Sequence, residues 1–407
     1  MAKQDNSVKN FPNLRFPGFE GEWEMKKLGE IGEVINGLTY SPNDIDDNGV
    51  LVLRSSNVQN SIVTFQDNVF VKTETFNPVK ENDILICARN GSKNLIGKNA
   101  IINKENEGLA FGAFMTVYRS PYNKFVFQWF GTQVYKEIVH KNLGATINSI
   151  NGSDLKKFVI PFPSISEQEK ISIFLSSVDE RIITQRKTIN NLKLQKNSIV
   201  KRLFDGKIKM QNPNFQNWEK KKLAEISNEH LHKNPDNQFP EVFSVSKHKG
   251  VINQIEHLGR SFSAKEIMHY KLVRPGDLVY TKSPTSEFPF GIIKQNRTGR
   301  TGVVSPLYCV FEPHTFELGY LLHEYFMSPI NTFNYLNPLV QKGAKNTMNI
   351  NNDVFLNGAK LLVPMDENEQ KKIYDFLYSL DQKFDLESDL LIQYELQKKY
   401  LLANLFI

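Results

Sequence analysis

The side chains best placed for chemistry in this chain sit in polar loops that follow short apolar runs. VLVLRSSN ends in Arg54, Ser55 and Asn57, and NDILICARNGS runs out into Arg89, Asn90 and Ser92, with Lys93 next. In the second half, EVFSVSKHKG supplies Lys247 and His248, GDLVYTKSPTS supplies Lys282 and Ser283, and a basic loop from Gln295 adds Arg297 and Arg300. Two matched polar turns, GATINSIN and GAKNTMNIN, offer Thr146, Asn148, Lys345 and Asn346. The chemistry these types support is recognition rather than bond-making. Arg and Lys suit guanine edges or phosphate, Asn suits adenine, and Ser or Thr serves either. Each residue has a second reading as an ordinary solvated loop residue, and the matched turns have one as structural entries to the next helix.

Motifs for catalysis or metal binding fail on inspection. GSKNLIGKN, from Gly91 to Asn99, imitates a phosphate-binding loop but has five residues between its glycines and Asn in place of the Mg²⁺-coordinating hydroxyl. An adenine methyltransferase needs an Asn/Asp-Pro-Pro-aromatic motif, and NPV at Asn77, NPD at Asn234 and NPL at Asn337 all lack the second proline. His230 and His232 alternate in EHLH without a third ligand at metal-binding spacing, so no metal site is expected. Cys87 and Cys309 each lie in a short apolar run, which suits a small buried thiol and excludes a disulfide framework.

The net charge of +6 is uneven: between residues 166 and 222, Lys and Arg outnumber Asp and Glu 13 to 6. That excess attracts phosphate, or serves as the solvated face of a helix. The N-terminus is polar, and no run approaches the roughly 18 apolar residues of a membrane span. A cytoplasmic globular protein of two or three domains is the expectation.

These loops need a scaffold, and the sequence repeats it. WEMKKLGEI at Trp23 returns as WEKKKLAEI at Trp218, an offset of 195, whereas Glu167 to Phe204 and Glu369 to Phe406 align at 202 without a gap. The ends match while the middles have drifted, as suits two readers of different targets on one repeated frame. Short apolar runs broken by Gly, Asn and Asp predict an α+β fold for each insert. A Pro-rich strand then leads into a long helix, with Ser166 and Glu169 in one copy and Asp366 and Glu369 in the other as cap residues.

Apolar positions step by four and three through Ile171, Leu175, Val178, Ile182, Ile189 and Leu192, and again through Ile373, Leu377, Leu380, Phe384, Leu391 and Tyr394. That is a coiled-coil seam. Matching polar residues break it, Gln185 and Glu387 near the middle and Lys196 and Lys398 further along, and they penalise slipped alignments. Both helices carry the same stripe, so the economical arrangement is mutual pairing about a pseudo-two-fold axis, forming an antiparallel intramolecular coiled coil between two α+β domains. Each helix capping only its own domain is the other arrangement. A helix of this length measures roughly 58 Å.

The W-E-x-K-K-L-x-E-I opening, the strands leading into SEQEKI and NEQKKI, and the closing L-Q-K before Leu203-Phe204 and Leu405-Phe406 resemble specificity subunits of type I restriction–modification enzymes. The resemblance implies two target-recognition domains, each reading one half of a bipartite asymmetric DNA site, with the paired helices fixing the gap. It also implies no catalysis and no cofactor on this chain. The expected partners are double-stranded DNA, two modification subunits that methylate adenine from S-adenosylmethionine, and restriction subunits that use ATP and Mg to translocate and cut DNA. The expected boundaries are an N-terminal arm over 1–20, recognition domains over 21–165 and 218–367, spacer helices over 166–207 and 368–407, and a linker over 208–217. A coiled-coil adaptor that binds proteins through two globular heads is the rival from another class, and a self-sufficient methyltransferase is the enzymatic rival.

Overall fold

The computed structural model describes residues 11–143, 148–208, 218–247, 249–260, 263, 266–342 and 348–407. The chain divides into two compact units, Met1–Lys187 with Asp389–Ile407, and Thr188–Ser388. Each is mixed helix and sheet.

In the first unit, β1 (Glu33–Asn36), β2 (Ile84–Cys87), β3 (Asn99–Ile101) and β4 (Met115–Arg119) form an antiparallel sheet in the order β1-β4-β2-β3. The ILIC run of β2 is apolar at every position because both faces of the sheet are covered. Ile84 and Ile86 pack with Phe125 and Trp129 of α1 (Asn123–Phe130), whereas Leu85 and Cys87 point into a second cluster with Val117 and Met115. A smaller sheet joins Ile45–Leu53 to Phe70–Val71 and Ala110–Phe111.

The second unit repeats this plan. Its β5 (Ser227–Glu229), β6 (Leu278–Thr281), β7 (Ile292–Gln295) and β8 (Cys309–Pro313) run in the order β5-β8-β6-β7, again antiparallel. Leu278 and Tyr280 face one cluster and Val279 the other. The two cysteines occupy the cores of their units as free thiols, and burial pushes them up to about 11 at Cys87 and about 12 at Cys309, leaving them protonated and inert.

The strands that open and close each insert pair with one another, Glu24–Lys27 with Val159–Phe162 and Trp218–Lys221 with Leu361–Pro364. Each closing strand feeds a long helix, α2 (Ile165–Phe204) or, beyond α3 (Phe316–Phe326), α4 (Glu367–Leu405). The first cap differs from the expected one. Ser164, not Ser166, holds the helix start: its hydroxyl accepts from the Glu167 N–H at 3.4 Å and its carbonyl accepts from Gln168 at 2.9 Å, while Ser166 lies inside the first turn. Asp366 does the same work in the second copy, accepting from the Glu369 N–H at 2.8 Å.

Within the first unit, α2 and α4 touch along an ordered set of side chains. Ile171 and Leu175 share a core with Trp23, Leu402, Leu405 and Phe406. Asp179 pairs with Lys398 and also accepts from Gln128 of α1 at 3.1 Å, and Arg186 pairs with Glu395 at 2.5 Å. Rising numbers on α2 meet falling numbers on α4. The arm joins the same end, since Leu14 N–H donates to the Asn404 carbonyl at 2.8 Å and Arg15 grips the buried Glu167 through two hydrogen bonds of 2.8 Å.

Within the second unit the order is again opposed. Lys196 pairs with Asp381, and Val200 and Leu203 pack with Leu377 and Ile373. Along the stripe, Val178, Ile182 and Gln185 are buried, whereas Ile189, Leu192, Leu380, Phe384, Glu387, Leu391 and Tyr394 are half-buried. The pairs Asp179–Lys398 and Asp381–Lys196 are related by 202 at both partners.

Candidate nucleic-acid interface

In the first unit, β2 runs directly into the loop that begins at Arg89, and three other segments converge on it. The Asn90 amide donates to the Ser55 hydroxyl at 3.0 Å, and its oxygen accepts from the Ser92 N–H at 3.0 Å, so one side chain fixes both the loop and its neighbour. Asn148 closes the arrangement from the far side. Its amide donates to the Gly91 carbonyl at 3.1 Å, and its own carbonyl accepts from the Asn90 N–H at 3.3 Å. Lys98 reaches the Ser55 carbonyl at 3.4 Å. Arg89 is exposed and its guanidinium lies 5.7 Å from the Phe114 ring centre, and Ser92 and Lys93 are also exposed. Ser55, Arg89, Asn90, Ser92, Lys93 and Asn148 thus form one polar, cationic group around a rigid turn.

Two residues expected in that group belong elsewhere. Asn57 is fully buried: its oxygen accepts from the Arg54 N–H at 2.9 Å and its amide donates to the Thr64 carbonyl at 3.0 Å. It is a loop staple, because a buried amide must spend its donors and acceptor locally. Arg54 is held by Asp67 at 2.7 Å and is about one-third exposed.

In the second unit, Lys282 and Ser283 leave β6 as the Arg89 loop leaves β2. Burial lowers the Lys282 ammonium below its ordinary value, with a further push from Lys271, while Ser283 is exposed. Lys247 pairs with Glu287 of the loop that follows.

Arg297 and Arg300 are each held by carboxylates. Arg297 stacks 4.1 Å from the Tyr320 ring centre and bonds Glu324 at 3.1 Å and Asp381 at 3.5 Å, so it ties the insert to α3 and α4. Arg300 divides itself between Glu241 and Glu256, each at 3.2 Å. Neither pairing was visible in the sequence, because the carboxylates lie 27 or more positions away from Arg297 and 44 or more from Arg300. Thr146, His248, Lys345 and Asn346 lie outside the described residues.

Sequence reasoning missed Lys98, Phe114, Lys271 and Leu307. Lys271 donates to the Tyr308 carbonyl at 2.9 Å, beside the exposed Leu307. The signal that finds Phe114 and Leu307 is the turn each occupies, where one large apolar residue follows small or turn-forming neighbours, GAF in one half and SPL in the other.

Among the described residues no group of three His, Cys, Asp or Glu side chains is placed to hold a metal ion, and no helix is long and apolar enough to cross a membrane. His230 and His232 meet edge to face with ring centres 4.6 Å apart.

Residues 20–194 match the family model described as the type I restriction modification DNA specificity domain. Over these residues the chain is similar to the type I restriction–modification specificity family. The type I restriction enzyme EcoKI specificity subunit of Escherichia coli (strain K12) is 27% identical over 64% of this chain and 61% of its own length. The putative MjaX specificity subunit of Methanocaldococcus jannaschii is 27% identical over 59% of this chain and 60% of its own length. The chain thus spans about three-fifths of these two curated relatives. The StySPI specificity subunit of Salmonella potsdam is 30% identical over 39% of this chain and 37% of its own. Among solved structures, a type I restriction–modification S subunit from M. genitalium aligns over 98% of this chain and 99% of its own at a TM-score of 0.57 and 16% identity. A chain from work on complex assembly and conformational transition of the type I R-M system aligns over 97% and 99% at 0.51 and 14%. At these identities the two structures speak to the fold alone.

Proposed function

We propose that this chain is the non-catalytic DNA-recognition and assembly subunit of a cytoplasmic type I restriction–modification complex. Residues 21–165 read one half of a bipartite asymmetric site through Ser55, Arg89, Asn90, Ser92, Lys93 and Asn148. Residues 218–367 read the other half through Lys247, Lys282 and Ser283, with His248, Lys345 and Asn346 as further contacts there and Thr146 as a further contact of the first half. The two long helices pair as an antiparallel intramolecular coiled coil about a pseudo-two-fold axis, set the spacer, and dock two methyltransferase subunits. The chain binds no cofactor itself. S-adenosylmethionine sits on the modification subunits, and ATP and Mg sit on the restriction subunits.

The observation that carries this reading is the reciprocity of the helix ion pairs. Asp179 with Lys398 and Asp381 with Lys196 differ by 202 at both ends, the relation expected when residue i of one helix meets j of the other and j meets i. A frame repeated in this way, carrying unlike loops, suits two unlike half-sites better than one target.

Salt tests it. The purified full chain, incubated with a pool of randomised duplexes, is expected to retain molecules that share a two-part motif with a fixed gap. Affinity for a selected duplex should fall linearly with the logarithm of salt concentration, because each neutralised phosphate releases counterions. Failure to retain any duplex, together with salt-insensitive capture of a protein, contradicts the reading and favours the adaptor.

A further inference from the structure

Phe114 is 60% exposed and Leu307 is 76% exposed, and they occupy the same place in the two units. Phe114 directly precedes β4 and Leu307 lies two residues before β8, and the strand registers place the two at the same position opposite the end of β2 and of β6. In the first unit, the Phe114 carbonyl accepts from the N–H groups of both Ala88 at 2.9 Å and Arg89 at 3.0 Å, which sets Phe114 opposite the end of β2. In the second, the register that pairs Tyr280 with Cys309 continues to face Lys282 with Leu307. A single exposed apolar residue needs no explanation. Two at one structural position, in inserts whose neighbouring residues have otherwise changed from GAFM to SPLY, do.

The surroundings state the kind of partner. Phe114 stands against the Arg89 guanidinium, on the loop that continues through Asn90 to Lys93, and Leu307 stands beside Lys271 and opposite Lys282, so each apolar side chain adjoins cationic, hydrogen-bonding groups. An apolar tip beside phosphate-binding groups suits a base stack, where Phe and Leu are among the side chains that part neighbouring bases. The tip is also firmly held. Met115 N–H closes the turn on the Gly112 carbonyl at 2.8 Å, and Ala113 N–H bonds the Leu38 carbonyl at 2.8 Å, so the backbone under Phe114 does not have to order on binding.

We propose that Phe114 and Leu307 are apolar wedges, one per recognition domain, that enter the base stack of the bound duplex and unstack one step in each half-site. This rests on the DNA-reading function above and adds a component to it. The wedge supplies specificity through the ease with which a given step opens, which is lowest in cost at pyrimidine–purine steps. It therefore reads positions that the polar loops never touch.

The test uses the full chain and a duplex selected from the randomised pool, with 2-aminopurine placed in turn at each adenine of the half-sites and at their flanking steps. Binding is expected to raise fluorescence at one position in each half-site. Phe114→Ala is expected to abolish the rise in one half-site only, Leu307→Ala in the other only, and Phe114→Leu to retain it. Because both side chains are exposed, the unfolding midpoint of each variant should stay at the wild-type value, which separates loss of the wedge from loss of the fold. Salt-dependent binding without any fluorescence rise, or a rise that both alanine variants preserve, overturns the wedge and leaves DNA reading intact. A loss of affinity on replacing thymine by uracil, with no rise, assigns the two residues to thymine methyl groups and also overturns it. No binding to any duplex overturns both.

Discussion

Asp83 and Asp277 occupy one position in the two sheets and have opposite surroundings. Both are buried, and both accept from the N–H three residues earlier, Lys80 at 2.7 Å and Arg274 at 2.6 Å. In the first unit, Arg119 grips Asp83 with two hydrogen bonds of 2.8 and 2.6 Å. In the second, the same register brings Glu312 opposite Asp277. Burial, opposed by the Arg274 N–H and reinforced by Glu312, pushes Asp277 up to about 7. Since the unfolded chain ionises this carboxyl near 3.8, the folded state keeps a proton that the unfolded state has lost. The resulting stabilisation is full below that value and disappears as pH rises to about 7. His230, nearby, works the other way, because burial and Arg274 lower it below 6.5 and its contribution is lost as pH falls. Asp277→Asn isolates the first effect: thermal unfolding compared with wild type should show the variant gaining relative stability from pH 4 to pH 8. A pH-independent difference contradicts it. The same scale marks the limit of sequence reading at the interface. The place of Arg89, Asn90 and Ser92 in a loop beyond β2 was legible because a polar run after an apolar strand must leave the sheet at its edge. Asn57 and Arg297 were not, since burial and distant carboxylates decide their roles and neither is encoded locally.

At the scale of elements, the heptad stripe revealed both long helices, because burying one face is the only way a helix of that length avoids a wet apolar seam. The cap was misassigned by two residues, since Ser164 and Ser166 both precede acidic residues and only the hydrogen bonds choose between them. Lys196 and Lys398 were read as register-setting polar breaks, and their partners emerge only from the fold: Asp381 with Glu324 for the first, Asp179 with Gln128 on the same carboxylate for the second. A double-mutant cycle on Asp179 and Lys398 measures whether this pair sets alignment. Asp179→Lys or Lys398→Asp alone places like charges together in a part-buried seam and should lower stability by about 1–3 kcal/mol. The exchanged pair should recover most of that loss in denaturant unfolding. Additive losses, with no recovery, would mean that the two side chains do not interact.

For the whole molecule, the duplication was legible from the tryptophans and the gapless helices, and the repeated strand order in the two units gives it structural form. What each half reads was not legible, because a base contact depends on loop geometry and on the shape of DNA as much as on side-chain type. The central claim is that the paired helices act as the ruler between two half-sites. Deleting residues 186–192 together with residues 388–394 removes one heptad from each helix, keeps the stripe in phase, and retains Asp179, Lys196, Asp381 and Lys398, so both reciprocal ion pairs can re-form. Each helix shortens by about 10 Å. Selection of duplexes by this variant and by the wild-type chain is the most direct measurement. Unaltered half-site sequences with a shorter gap are the expected result, and an unchanged gap, or altered half-sites, contradicts the ruler.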